Sequence, residues 1–197
     1  MVMYRDGCVY DEIDKVITEI YQDYNIKSFP VDEVDICNKL GVSLVPYSEF
    51  SGNARRLLMK KSNLGFFVKG SKEQPPTIYY NDRFESKGAV RLTIFHELKH
   101  YIYNDDNDDD DDLADYFARH FMGPTAYLIQ KGIDSPNEIV SFCGMSMEAA
   151  LNAYSNIVNR KRTYGMNLFD YEVSLIEHLE PVIMETFKYS IIDTIDD

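Results

Sequence analysis

Arg91-Leu92-Thr93-Ile94-Phe95-His96-Glu97-Leu98-Lys99-His100 is the stretch on which the reading of this chain turns. On a helix, residues four apart share a face, so His96 and His100 can grip one metal ion. Glu97 then stands beside that metal, placed to take the proton of a water. H-E-x-x-H on a helix is the arrangement that zinc peptidases use. Leu92, Phe95, Leu98 and Ile102 supply the apolar positions expected to seat this helix on a core, and Ser86 is its expected N-cap.

Two histidines do not complete a catalytic zinc site, which has three protein ligands and one open position. The third ligand is expected among the acids after His100. Asn104 to Asp112 is nine residues, seven of them Asp. Mutual repulsion and poor helix propensity predict a loop. Asp106 echoes an H-E-x-x-H-x-x-G-x-x-H/D layout, but Tyr103 stands where that layout needs a glycine. Asp111 opens a further helix, expected to run to Met122 and stop at Gly123-Pro124, with Asp115 on the same face. Asp111 then binds the metal and Asp115 orients a ligating histidine through its second ring nitrogen. Spacing favours Asp111 and leaves Asp106 and Asp112 as alternatives. His120 and His178 read as packing or surface histidines.

Upstream, Ile13, Val16, Ile17, Ile20, Tyr21 and Tyr24 make one helical stripe, which Ser28-Phe29-Pro30 breaks. Asp32 to Leu40 reads as a second helix stopped by Gly41. Val42–Val45, Leu64–Val68 and Thr77–Tyr80 read as three short strands. The polar stretch holding Arg55, Arg56, Lys60 and Lys61 reads as a solvated loop or short helix. The last strand, Thr77–Tyr80, is the expected edge for binding substrate backbone by strand addition. Fifteen tyrosines single out no oxyanion-stabilising residue.

Downstream, residues 137–142 form a short helix, Cys143-Gly144-Met145 turns, and Ser146 caps a longer helix. Met147, Leu151, Tyr154 and Val158 are the expected inner stripe of that helix. This pair looks like a helix-turn-helix, and Arg160, Lys161 and Arg162 could meet phosphates. The second helix, however, opens Met147-Glu148-Ala149-Ala150, which offers nothing that reads a base edge. Direct nucleic-acid binding is therefore not the expected activity.

Composition agrees. The 197 residues carry a formal net charge of −13, against the basic face that general nucleic-acid or membrane-surface binders need. Hydrophobic content of 45% and aromatic content of 13% are globular values. No apolar stretch approaches the roughly 18 residues of a membrane span, and the start shows no secretory pattern. Cys8, Cys37 and Cys143 are odd in number and widely spaced, which fits reduced thiols in a cytoplasmic protein.

The quoted stretch, then Asp111-Asp112-Leu113-Ala114-Asp115-Tyr116-Phe117-Ala118, then Phe121-Met122-Gly123-Pro124, resembles the ImmA/IrrE-type metallo-endopeptidases. Their pattern is roughly R-x-T-x-x-H-E-L-G-H, then E-x-x-A-N-x-F-A, then a short apolar run ending in Pro. The resemblance spans about residues 10–163. Lys99 replaces Gly, Asp111 replaces Glu and Asp115 replaces Asn. The resemblance implies a zinc (Zn2+)-dependent intracellular endopeptidase whose protein substrate is a helix-turn-helix repressor of a mobile element or stress regulon. The runner-up is a DNA-binding or partner-trapping regulator on an inactive fold of the same kind.

The expected fold class is α+β. Residues 1–125 form a compact zincin-like metallopeptidase core with a small, roughly three-stranded sheet. Residues 126–163 form a helix-turn-helix-like segment packed on it, and residues 164–197 an acidic extension.

Overall fold

The computed structural model describes residues 7–104 and 111–180. The Asp106 alternative, most of the aspartate run and residues 181–197 of the acidic extension lie outside them. The fold class is α+β. In chain order the elements are α1 (Gly7–Asp23), α2 (Glu33–Leu40), β1 (Ser43–Pro46), α3 (Gly52–Lys61), β2 (Gly65–Val68), β3 (Thr77–Tyr80), α4 (Lys87–Tyr103), α5 (Asp111–Met122), α6 (Thr125–Gln130), α7 (Pro136–Cys143), α8 (Met147–Tyr164) and α9 (Asp170–Leu179). A single 3-10 turn, Tyr47–Glu49, follows β1. Among the described residues no helix is long and apolar enough to cross a membrane.

Local signals set most boundaries. Asp32 caps α2 by accepting from Val34 and Asp35 N–H, and Gly41 closes it at φ 76°. Ser86 Oγ accepts from Ala89 N–H at the start of α4. Ser146 does the same for Ala149 at the start of α8. The basic stretch is α3, a helix that buries nothing. Only Arg55 and Leu58 are half-buried and the rest is exposed, which is why hydrophobic periodicity does not announce it.

The sheet order is β1-β3-β2. β3 runs parallel to β1, with Leu44 opposite Ile78, and antiparallel to β2, with Phe67 opposite Ile78. Thr77–Tyr80 is therefore the central strand, not an edge. Its hydrogen-bonding groups are used on both sides, so it has none to offer a substrate. The edge that faces α4 belongs to β2.

The core is one apolar cluster. Ile13, Ile17 and Tyr21 of α1, Ile94, Phe95 and Leu98 of α4, and Phe117 and Phe121 of α5 form its centre. In α4 the buried stripe is Val90, Ile94, Phe95 and Leu98, while Leu92 and Ile102 are only half-buried. The helix is covered on two sides, by the sheet and by α5, which rotates its contact face. Tyr21 donates its hydroxyl hydrogen to Phe121 carbonyl oxygen at 2.6 Å, capping the end of α5 from a helix 100 residues away.

In α8 the expected inner stripe is mostly turned outward, with Tyr154 alone of its four residues packed against the core. Met147, Leu151 and Val158 are about half exposed, whereas Ala149, Ala150, Ala153 and Ile157 are buried. Both faces are apolar, so periodicity does not choose between them. The alanine face lets α8 approach α6 and α7 closely, and close approach wins the dispersion contacts. α9, drawn from the acidic extension, packs on α1 and adds Leu175, Ile176 and Leu179 to the same cluster.

Arg91 ties three regions together. Its Nε donates to Glu33 Oε2 at 2.8 Å, its Nη1 to the carbonyls of Cys143 and Gly144, and its Nη2 to that of Val31. One side chain thus joins α4, the approach to α2 and the α7–α8 turn. Gly88 allows that junction: a Cβ there would lie 2.3 Å from Ser146 N and 2.4 Å from the Met145 carbonyl carbon.

Candidate metal centre

α4 and α5 pack side by side, and the site forms where the last turns of α4 meet the first turn of α5. The i, i+4 spacing puts the His96 and His100 rings on one face, with centroids 5.3 Å apart. Asp111 opens α5 directly across from them. One nitrogen from each histidine and one Asp111 oxygen all lie within 4.8 Å of one another. His96 Nε2 is 3.8 Å from Asp111 Oδ1. Two ligand atoms bound about 2.0–2.2 Å from one tetrahedral ion stand ~3.4 Å apart. Closing the group on an ion therefore needs shifts of an ångström or so, mostly by the exposed Asp111. Two imidazoles and a carboxylate suit zinc and other first-row divalent metals.

Asp115, one turn along α5, lies 2.9 Å from His96 Nδ1 through its Oδ1. A carboxylate only accepts, so the Nδ1–H donates and Nε2 is left with its lone pair toward Asp111. Arg119, one turn further, steadies the other oxygen at 3.7 Å. The electrostatics are reciprocal. Burial, the largest influence on His96, opposes its protonation, but the Asp115 hydrogen bond with the charges of Glu97, Asp115 and Asp111 raises its pKa above 6.5. The same hydrogen bond holds the Asp115 carboxyl below the ordinary range.

Glu97 projects from α4 toward β2. Its Oε2 accepts from the backbone N–H of Phe67 at 2.9 Å, so the sheet edge fixes the carboxylate. Among the described residues nothing bonds Oε1. Burial raises the Glu97 pKa above 4.5, and His96 and the Phe67 N–H only partly offset it. A carboxylate with raised proton affinity beside a metal position is suited to general-base work.

All the residues expected from spacing meet here: His96, Glu97, His100, Asp111 and Asp115. Asp112 points elsewhere on α5 and is not in the ligand group. His120 is buried, with Nδ1 2.8 Å from Asp14 Oδ1, and His178 contacts the Ile26 carbonyl, so both act in packing. Sequence reasoning missed the Phe67 N–H. No side-chain pattern signals it, because it is a backbone donor supplied by strand placement. Of the residues offered to phosphates, Arg160 is instead paired with Glu172 and Lys161 with Asp134.

Comparison of the chain with protein-family models, with curated proteins and with solved structures found no match to any of them.

Proposed function

We propose that this chain is a zinc-dependent endopeptidase with His96, His100 and Asp111 as ligands and Glu97 as general base. The observation that carries the proposal is the joint geometry: three ligand atoms converge, Asp115 fixes the free nitrogen of His96, and Glu97 is held at the same place by an edge strand. A lone H-E-x-x-H helix would supply two of these ligand atoms and an unanchored Glu97. A zinc ion held there would supply Lewis-acid polarisation of a peptide carbonyl and lower the pKa of a bound water towards about 7. Glu97 Oε1 takes the water's proton and returns it to the leaving amine nitrogen. Asp115 keeps His96 in the Nδ1–H tautomer throughout. Substrate backbone adds to the outer edge of β2 through its carbonyls, since the Phe67 and Gly65 N–H groups are already held by Glu97 and Ser62.

The resemblance to ImmA/IrrE-type enzymes supports a helix-turn-helix repressor as the substrate. Arg160 and Lys161, engaged with carboxylates, favour this over direct DNA binding by the α7–α8 pair. The test is metal content of the purified protein by elemental analysis, followed by incubation with repressors encoded beside it. About one zinc per chain and cleavage abolished by Glu97→Gln is the expected result. Absence of zinc after reconstitution would overturn it. Release of a repressor from DNA by the Glu97→Gln protein would instead favour a partner-trapping regulator.

A further inference from the structure

α5 carries a second functional face. Behind the metal ligands, α1, α5, α8 and α9 enclose an open cleft of about 540 Å³, a volume that holds a drug-sized ligand or a few residues of peptide. Its rim meets the metal site, since Asp112 follows Asp111 and the Asp115 side chain borders both.

The cleft is acidic and aromatic together. Asp11, Asp14, Asp112, Asp115 and Glu172 line it against two guanidiniums, Arg119 and Arg160. Arg160 is paired with Glu172 at 2.6 Å, Arg119 lies 3.7 Å from Asp115, and His120 lies against Asp14. Asp11 and Asp112 are exposed; among the described residues Asp11 has a 3.5 Å contact from the Tyr171 hydroxyl and Asp112 has no partner. Among the described residues Arg119 Nε and Arg160 Nη1 are buried without a hydrogen-bond partner, but an anion reaching toward them would face the carboxylates that line the cleft.

One end of the cleft displays the chemistry it favours. The Arg160 guanidinium lies over Tyr164 and Phe169, 5.0 and 5.3 Å from the ring centres, with Glu172 alongside. The same cleft carries those ingredients again, with Tyr10 against Tyr116 at 4.6 Å, and with Tyr171 stacked on Phe169 at 5.7 Å and its hydroxyl toward Asp11. Rings plus carboxylates favour a cation through the ring quadrupole and Coulomb attraction together.

We infer that this cleft is an exosite for a lysine- or arginine-bearing peptide segment of the protein substrate. The peptidase reading enters only in calling that segment part of a substrate; the cleft's chemistry does not depend on it. A chain lying across the start of α5 reaches both places, so the cleft selects substrates by a basic residue away from the cut bond.

The test is fluorescence anisotropy with a labelled Lys/Arg-Ala octapeptide and a matched Glu-Ala octapeptide, on full-length wild type and on His96→Ala protein. The expected result is binding of the basic peptide alone, equal in the two proteins, and lost at high salt. Asp11→Lys should weaken it about fivefold or more. Tyr171→Ala should weaken it too, and circular dichroism checks that each variant is folded. Undiminished binding in both variants, equal binding of the acidic peptide, no binding, or displacement by inorganic phosphate at constant ionic strength each overturns the exosite. The two readings fail separately: a wild type that binds the basic peptide but holds no zinc after reconstitution sinks the peptidase and leaves the cleft, and a zinc-bearing wild type that does not bind the peptide sinks the cleft and leaves the peptidase.

Discussion

Asp115 Oδ1 meets His96 Nδ1 at 2.9 Å across the α4–α5 interface. The contact couples a candidate metal ligand on α4 to α5, so α5 carries both the proposed third ligand and the residue that orients His96. Asp115→Ala should lower zinc affinity about 10- to 100-fold, measured by chelator competition. Asp115→Asn, which keeps an acceptor, should recover much of that loss. Equal affinities in all three proteins would leave Asp115 with no role at the metal.

The same pair sets a pH dependence. His96 must be neutral to bind metal, and its pKa is raised above 6.5 in the metal-free fold. Zinc affinity should therefore begin to fall with decreasing pH above the ordinary histidine value, and be constant at higher pH. Asp115→Asn removes the charge that raises this pKa, so its decline should start at lower pH. Zinc titrations between about pH 5 and 8 decide it; coincident curves would contradict the coupling.

Glu97→Gln keeps an oxygen for the Phe67 N–H and removes the proton acceptor. Zinc content should be unchanged and peptide hydrolysis reduced by about 10²–10⁴-fold. Loss of zinc along with activity would mean that Glu97 is a ligand and not the base.

Gly88→Ala forces a Cβ into the backbone of Met145 and Ser146. The junction held by Arg91 must open, at about 1–3 kcal/mol. Thermal unfolding should show a melting temperature lower by several degrees. An unchanged transition would show that α4 and the α7–α8 turn move apart freely.

Burial pushes the thiols of Cys37 and Cys143 up to about 12. At pH 8 roughly one in 10⁴ is thiolate. Neither should react with a maleimide in the folded protein, and both should after denaturation, as read by peptide mass spectrometry. Rapid native labelling of either would place it on a mobile surface.

Local order was legible where local chemistry decides it. The caps Asp32, Ser86 and Ser146 and the stop at Gly41 mark helix ends because their side chains, or the lack of one, satisfy nearby backbone groups. The α1 stripe was legible because only one of its faces is apolar. α8 was not, because two faces are apolar and only its neighbours determine that the alanine side is buried. The strands were visible from Val42, Leu64 and Thr77 onward, but their order was not. Which strand is the edge depends on pairing between segments far apart in the chain.

By itself the sequence determined the composition of the candidate site. The i, i+4 periods of two helices fix His96 with His100 and Asp111 with Asp115 before any packing occurs. Tertiary structure decided that these two faces meet, that β2 and not β3 offers Glu97 its anchor, and that α1, α8 and α9 enclose a cleft behind α5. The physical reason is range. A helix's period is set by backbone geometry within a few residues, whereas the meeting of α4 with α5, or of α1 with α9, is set by burial of a shared core that no single segment encodes.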